Sequence, residues 1–235
     1  MKEAIIELKD LKKGYSGQVV LDISSLQIFA GERFGLVGNN GAGKTTLFSL
    51  VLDLIRASKG EVLSKGINVA NTEEWKKYTS SFLDESFLID FQTAEEYFEF
   101  VGKLHGWNRT DVQNFLKQFE DFFNGEVLDK KKYLRDFSKG NQKKVGIIAA
   151  LIGHPEVVLL DEPFANLDPT TQMRLKNLIV EISKERTLLI SSHDLAHVTD
   201  VCNRIVVLES GQVVKDLETS AETLKELEAH FSATL

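Results

Sequence analysis

Gly38-Asn39-Asn40-Gly41-Ala42-Gly43-Lys44-Thr45 sets the fold class of this 235-residue chain. The octapeptide fits the pattern GxxxxGK[ST]. In that pattern glycines let the backbone wrap closely, so that successive N–H groups and a helix N-terminus point at phosphate oxygens. Lys44 then reaches the β- and γ-phosphates of a nucleotide and the Thr45 hydroxyl ligates Mg2+. The flanks agree. Arg33-Phe34-Gly35-Leu36-Val37 reads as a mostly apolar strand entering the turn. Leu47, Leu50, Val51, Leu54 and Ile55 form the i, i+3, i+4, i+7, i+8 stripe of a helix leaving it, with Phe48 and Leu52 adding bulk to other faces. Strand, glycine turn and buried helix open a parallel α/β sheet.

The same rhythm returns after Val145. Val157–Leu160 and residues 187–190 are short continuous apolar runs, as expected of parallel strands buried on both faces. Between them Asp168-Pro169 reads as an N-cap with proline at the first helical position, followed by the stripe Leu175, Leu178, Ile179, Ile182. The run Val157–Leu160 ends in Asp161-Glu162-Pro163. Asp161, at the strand's end, can hold Mg2+ through its water shell, and Glu162, one residue further, would polarise an attacking water. Residues 205–208 and 212–214, joined through Ser210-Gly211, predict a closing hairpin. Thr219 and Glu222 predict a capping box ahead of a tail helix with Leu224, Leu227 and Phe231. Upstream of the glycine turn, residues 4–8, 19–21 and 26–29 read as short alternating strands, separated by turns at Gly14, Ser16-Gly17 and Gly31.

Residues 86–137 change character. Thr93 with Glu96 and Thr110 with Gln113 predict two capping boxes, each starting an amphipathic helix. The first helix shows Tyr97, Phe100, Val101 and Leu104; the second shows Val112, Phe115, Leu116, Phe119 and Phe122. Basic residues do not interleave these aromatics, so the stripe reads as a helical insertion with its own small core and not as a base-stacking surface.

With these motifs in this order, the chain resembles the ATP-binding subunits of the ABC transporter superfamily over nearly its whole length. Ser138-Lys139-Gly140-Asn141-Gln142 matches the family's Ser-Gly-Gly-Gln signature, with Lys139 at the first glycine and an added Asn141 before Gln142. The physics of that segment agrees, since Ser138 would N-cap a buried helix over 145–152 aimed at an anion. The resemblance implies a phosphate-loop NTPase (RecA-like) fold: a parallel-sheet core with an N-terminal antiparallel β subdomain, formed by 1–84 and 143–235, interrupted by an α-helical subdomain, 85–142, that carries the signature. It implies ATP contacts from Gly38, Asn39, Asn40, Gly41, Ala42, Gly43, Lys44, Thr45 and Thr46, with Tyr15 stacking on adenine. Ser138, Gly140 and Gln142 of the signature, and Asp168 of the D-loop Ala165-Asn166-Leu167-Asp168, would meet ATP held by an opposite subunit. His193 stands where the family places its switch histidine on the γ-phosphate. The family's Q-loop glutamine aligns with Glu85, a departure that keeps metal-ligating oxygens but adds charge beside a triphosphate. Exporter-type members share both this change and the Ser-Lys-Gly form of the signature.

The remaining expectations concern partners. The composition, 43% hydrophobic and 27% charged with 3 Pro, belongs to a globular chain and excludes disorder. A net charge of −7 argues against non-specific nucleic-acid binding and against attraction to an anionic lipid surface. No apolar stretch approaches the ~18–20 residues of a membrane span, Met1-Lys2-Glu3 does not open a signal peptide, and one cysteine excludes a disulfide framework. Within the resemblance these features imply a cytoplasmic ATP hydrolase using ATP and Mg2+. It would form a head-to-tail dimer with itself or a paralogue, held at the inner face of the membrane by a transmembrane permease and not by lipid insertion. An exporter is the favoured reading; an importer subunit, or a soluble ABC-type ATPase acting on ribosomes or DNA, are the alternatives. The stretch from Lys44 to Ser138 leaves no room for the long coiled coil of DNA-repair members, and the chain carries one cassette where soluble translation-factor members carry two.

Overall fold

Alternation assigns each residue of the central strands to one of two cores. In the computed structural model, which describes residues 3–233, the chain opens with two twelve-residue strands, β1 (Ala4–Tyr15) and β2 (Gln18–Phe29). There follow β3 (Arg33–Val37), α1 (Lys44–Val51), β4 (Lys59–Ser64), β5 (Ile67–Asn68) and β6 (Thr79–Phe82). The helical arm comes next, with α2 (Ala94–Leu104), α3 (Arg109–Leu116), α4 (Glu120–Phe123) and α5 (Lys139–Ala149). The chain then alternates β7 (Val157–Leu160), α6 (Pro169–Ile182), β8 (Thr187–Ser192), α7 (Leu195–Val201) and β9 (Arg204–Glu209), and finishes with β10 (Gln212–Glu218) and α8 (Thr223–Ala233). Met1 and Lys2, part of the segment expected not to open a signal peptide, lie outside the described residues.

Two sheets result. One is antiparallel in the order β2-β1-β4-β5; the other runs β10-β9-β3-β8-β7-β6. In the second, β9, β3, β8, β7 and β6 are mutually parallel, and β10 pairs antiparallel with β9. Val157, Leu159, Leu189, Val206 and Leu208 face a core shared with α1 and the antiparallel sheet. Their alternates Val158, Leu160, Leu188, Ile190, Ile205 and Val207 face a core shared with α5, α6 and α7. Burial on both faces explains why these strands read as unbroken apolar runs. The order places β3 between β8 and β9: the chain leaves β3 for β6 at the far edge and returns past it from β8 to β9, so the C-terminal ends of β3, β7 and β8 open onto one crevice.

Several local expectations need correction. Gly14 does not end a strand: β1 continues to Tyr15 through a register irregularity at Lys13/Gly14, because the antiparallel sheet buries one face only and its polar face broke the pattern. The first helix after the glycine turn ends at Val51, which leaves Leu54 53% exposed. The Thr93–Glu96 capping box is present, but the second box is Asn108 with Asp111 and not Thr110 with Gln113. Thr219 makes no box with Glu222; α8 starts at Thr223, whose hydroxyl accepts from the Ser220 N–H. On α2 the buried positions are Ala94, Phe98 and Gly102, while Phe100 and Leu104 are exposed. The arm's aromatics Phe98, Phe115, Phe119, Phe122 and Phe123 form one continuous core with the residues beneath the sheet, because α5 belongs to both.

Cys202 is buried beside Gly35, where even a Cβ would lie 2.2 Å from Val198. Burial pushes its thiol up to about 12. A disulfide reagent at pH 8 is expected to label Cys202 only after unfolding, since the thiolate is the reactive form; prompt labelling of the native chain would contradict this burial.

Candidate functional site

The crevice collects the sequence-predicted residues from three strand ends. After β3, residues 38–43 turn into α1 with Gly41 at φ 84° and Gly43 at φ 108°, a region open mainly to glycine. Gly38 has no room for a side chain, since a Cβ would meet the Leu208 carbonyl oxygen at 2.3 Å. A concavity lined by Val20, Asn40, Gly41, Ala42, Gly43, Lys44, Thr45, Thr46 and Glu162 results. Lys44 is 7% exposed, and its Nζ donates to the Gly38 carbonyl at 2.7 Å and lies 3.3 Å from Glu162 Oε1. A buried ammonium among forward-pointing amides is an anion cradle.

From β7 and β8 come the acidic and hydroxyl groups. Thr45 Oγ1 donates to Asp161 Oδ2 at 2.6 Å, and Ser191 Oγ donates to the other Asp161 oxygen. Burial lifts the Asp161 carboxyl above its ordinary range, against the lowering effect of the Ser191 and Thr45 hydrogen bonds. Glu162 sits at φ 47°, left-handed and costly for a residue with a Cβ. Its carboxylate meets His193 Nδ1 at 2.8 Å through Oε2, while Oε1 faces Lys44. Lys44, Thr45, Asp161, Glu162 and His193 therefore lie together in one cluster.

Other expected residues lie elsewhere. Ser138 is exposed at the start of α5, where its Oγ accepts from the Asn141 N–H at 3.3 Å. A Cβ on Gly140 would meet the Asn166 carbonyl at 3.3 Å, so signature and D-loop pack against each other within the chain and away from its own phosphate loop. Gln142 is turned inward: its amide donates to the carbonyls of Leu134 and Phe137, which commits it to bracing α5. Asp168 caps α6, accepting from the Thr171 N–H and hydroxyl, and those bonds hold its carboxyl below the usual range. Tyr15 is 48% exposed at the tip of the β1–β2 hairpin, with Lys13 Nζ 4.7 Å above its ring. Glu85 is not brought to Thr45 or Asp161; its Oε1 lies 3.5 Å from Lys143 Nζ. The adjacent Asp84 instead caps the turn Glu85–Phe87. The sequence reading missed Ser191 and Lys143. A serine directly after the apolar run 188–190 is the available sequence signal for the first, which the structure buries completely; nothing local marks the second.

A family profile described as "ABC transporter" matches residues 21–165, more than half of the chain. The chain belongs to the ABC transporter ATP-binding family. An uncharacterized ABC transporter ATP-binding protein of Synechocystis is 37% identical over 194 residues, covering 81% of this chain and 54% of its own length. The methionine import ATP-binding protein MetN of Carboxydothermus hydrogenoformans is 29% identical over 223 residues, covering 90% of this chain and 66% of its own. This chain thus spans between half and two thirds of those relatives. Among solved structures, one titled as the ATP binding subunit of an ABC transporter superposes with a TM-score of 0.82 at 27% identity, covering 96% of this chain and 93% of that one. The ABC ATPase fold of these neighbours has the arrangement found here, a parallel phosphate-loop core joined to an antiparallel sheet and a helical arm.

For an ABC ATPase site the chemistry of the donors fits ATP with Mg2+. Among the described residues no group of three or more His, Cys, Asp or Glu could hold a metal ion by itself. One hydroxyl, Thr45, and one carboxylate, Asp161, stand together instead. Such a sparse, hard-oxygen set suits a cation whose other ligands are water and substrate phosphate.

Proposed function

We propose that this chain binds and hydrolyses ATP as the motor of a membrane transporter, most simply an exporter. The observation that carries the chemistry is the strained Glu162, aimed between the phosphate-cradle Lys44 and the switch residue His193. Lys44 and the amides of 39–45 hold the β- and γ-phosphates. Thr45 and Asp161 would hold Mg2+, which would supply positive charge beside the phosphates. Glu162 takes the proton of the attacking water, and His193 braces that carboxylate.

Two copies complete the site. The exposed Ser138 at the N-terminus of α5 offers a hydroxyl and helix amides to an anion that its own chain does not supply. A head-to-tail pair brings that end to the partner copy's γ-phosphate, and charge-assisted hydrogen bonds worth about 1.5–3 kcal/mol each favour closure. Hydrolysis removes them and the pair reopens.

The coupling surface has apolar chemistry. Phe87 (63% exposed) and Leu54 (53%) rim a groove floored by Phe82, Leu88, Val101 and Gly146, between the sheet and the arm. Among the described residues no helix is long and apolar enough to cross a membrane. A transmembrane permease helix that docks in this groove supplies the membrane attachment. The Ser138-Lys139-Gly140 signature supports the exporter direction through its family resemblance, and the similarity to an import subunit makes direction a quantity to measure.

The chain is expected to co-purify in mild detergent with a polytopic membrane protein, and Phe87→Asp to lose that partner while keeping ATP binding. Recovery with ribosomes or DNA alone would overturn the transporter reading. With the complex in vesicles whose ATPase faces outward, added ATP is expected to load solute into the lumen; ATP-driven loss of solute from the lumen would identify an importer.

A further inference from the structure

Lys143 carries a buried charge that phosphate binding, Mg2+ coordination and base catalysis do not use. It lies on the first turns of α5, shortly after Ser138-Lys139-Gly140, and is 5% exposed. Its Nζ donates to the main-chain carbonyl of Glu162 at 2.8 Å. The same Nζ lies 3.5 Å from Glu85 Oε1, a buried oxygen with no hydrogen bond in the described structure. A lysine needed only to neutralise Glu85 would sit closest to that carboxylate; the shorter contact is to Glu162.

The carbonyl matters because of the backbone pose it fixes. Glu162 holds φ 47°, a conformation that persists in a non-glycine residue only where its surroundings over-determine it. Side chains grip both of its peptide groups. The Glu162 N–H donates to Ser191 Oγ at 2.9 Å, and Ser191 in turn donates to Asp161. The Glu162 carbonyl accepts from Lys143. Between these two anchors the side chain leaves the backbone toward Lys44 and His193.

We propose that Lys143 is a positioning residue that holds the main chain of Glu162 in its left-handed pose and ties that pose to the signature helix and to the turn Glu85–Phe87. The proposal rests on Glu162 acting as the base for ATP hydrolysis. Through Lys143, the end of α5 that meets a partner copy's nucleotide and the turn that carries Phe87 at the groove both bear on the aim of one carboxylate. A base misplaced by a fraction of an ångström loses rate without losing substrate.

The test uses the full-length purified chain and separates binding from turnover. Lys143→Met alone strands the Glu85 carboxylate in a buried site, so the double variant Glu85→Gln/Lys143→Met removes both charges together. The result expected is a melting temperature close to wild type and an affinity for a fluorescent ATP analogue and a KM each within about twofold, with kcat lower by on the order of 10–100-fold. Lys143→Arg, which keeps a cation and N–H donors, is expected to recover most of that kcat. If that double variant is unfolded, Glu85→Gln/Lys143→Gln, which also leaves no buried charge unpaired, is read for the same fall in kcat at constant KM. Wild-type kcat in the variants that fold, or losses of affinity equal to the losses of rate, would overturn the proposal. Absence of phosphate release from the wild-type chain in the same assay would overturn the ATPase reading itself, together with the inference built on it.

Discussion

Glu162→Gln is expected to give a chain that binds ATP, closes as a two-copy complex and hydrolyses at least about 100-fold more slowly than wild type, the scale on which a positioned general base contributes. The substitution keeps the side chain's shape and one oxygen. That oxygen can still accept a hydrogen bond from His193, and Lys44 keeps its 2.7 Å bond to the Gly38 carbonyl. What disappears is the ability to take a proton. Removing a negative charge 3.3 Å from Lys44 also leaves that ammonium freer for phosphate, so affinity for ATP is expected to hold or rise. Steady-state phosphate release measures the rate, and size-exclusion chromatography with and without ATP and Mg2+ measures closure. Turnover at the wild-type rate would remove Glu162 from the role of base. A variant that neither binds nor pairs would show that the carboxylate is needed to build the site, not to run it.

The parts of this molecule legible from sequence are those whose signals are local or periodic. The phosphate loop, Asp161-Glu162 and His193 are strand-end residues, and burial on both faces made their strands read as unbroken apolar runs. The parts not legible depend on contacts distant in sequence. Lys143 and Glu162 meet across 19 positions, and Ser191 and Asp161 across 30. No periodicity announces such pairs. Glu85 illustrates the same limit from the other side. Its alignment with the family's Q-loop glutamine implies a place near the metal, and no sequence signal shows the lysine of another helix that lies 3.5 Å from its carboxylate. Gln142, which the resemblance places on a partner copy's ATP, gives its amide to the carbonyls of Leu134 and Phe137, a pairing across the start of α5 that no local pattern announces. On α2 the expected stripe is half right: Tyr97 and Val101 pack against the core, whereas Phe100 and Leu104 are left at the surface and Phe98 takes the buried place.

Gly146→Ala carries the largest expected cost in stability, and its sign opposes intrinsic helix preference. Gly146 lies in the interior of α5, where alanine would ordinarily be favoured by about 1 kcal/mol. Here a Cβ would lie 2.1 and 2.2 Å from two ring carbons of Phe82, far inside contact distance. The ring floors the groove beside Gly146 but is only 4% exposed, so the added methyl must displace a largely buried ring. Overpacking of a filled core costs about 1–3 kcal/mol and in a rigid site more, which outweighs the propensity gain. A net loss of about 1 kcal/mol lowers the melting temperature by roughly 2–4 °C in a chain of this size. Trimming the ring should reverse the sign. Phe82→Leu in the Gly146→Ala background is expected to be more stable than the two single losses predict, because each change relieves what the other creates. Thermal melts of the four proteins of that cycle check it. An unchanged or raised melting temperature in Gly146→Ala would mean that α5 can lift from β6, and α5 would then be seated by its own helical preference; a loss that Phe82→Leu rescues means that the close backbone approach at Gly146 is what fixes the arm against the sheet.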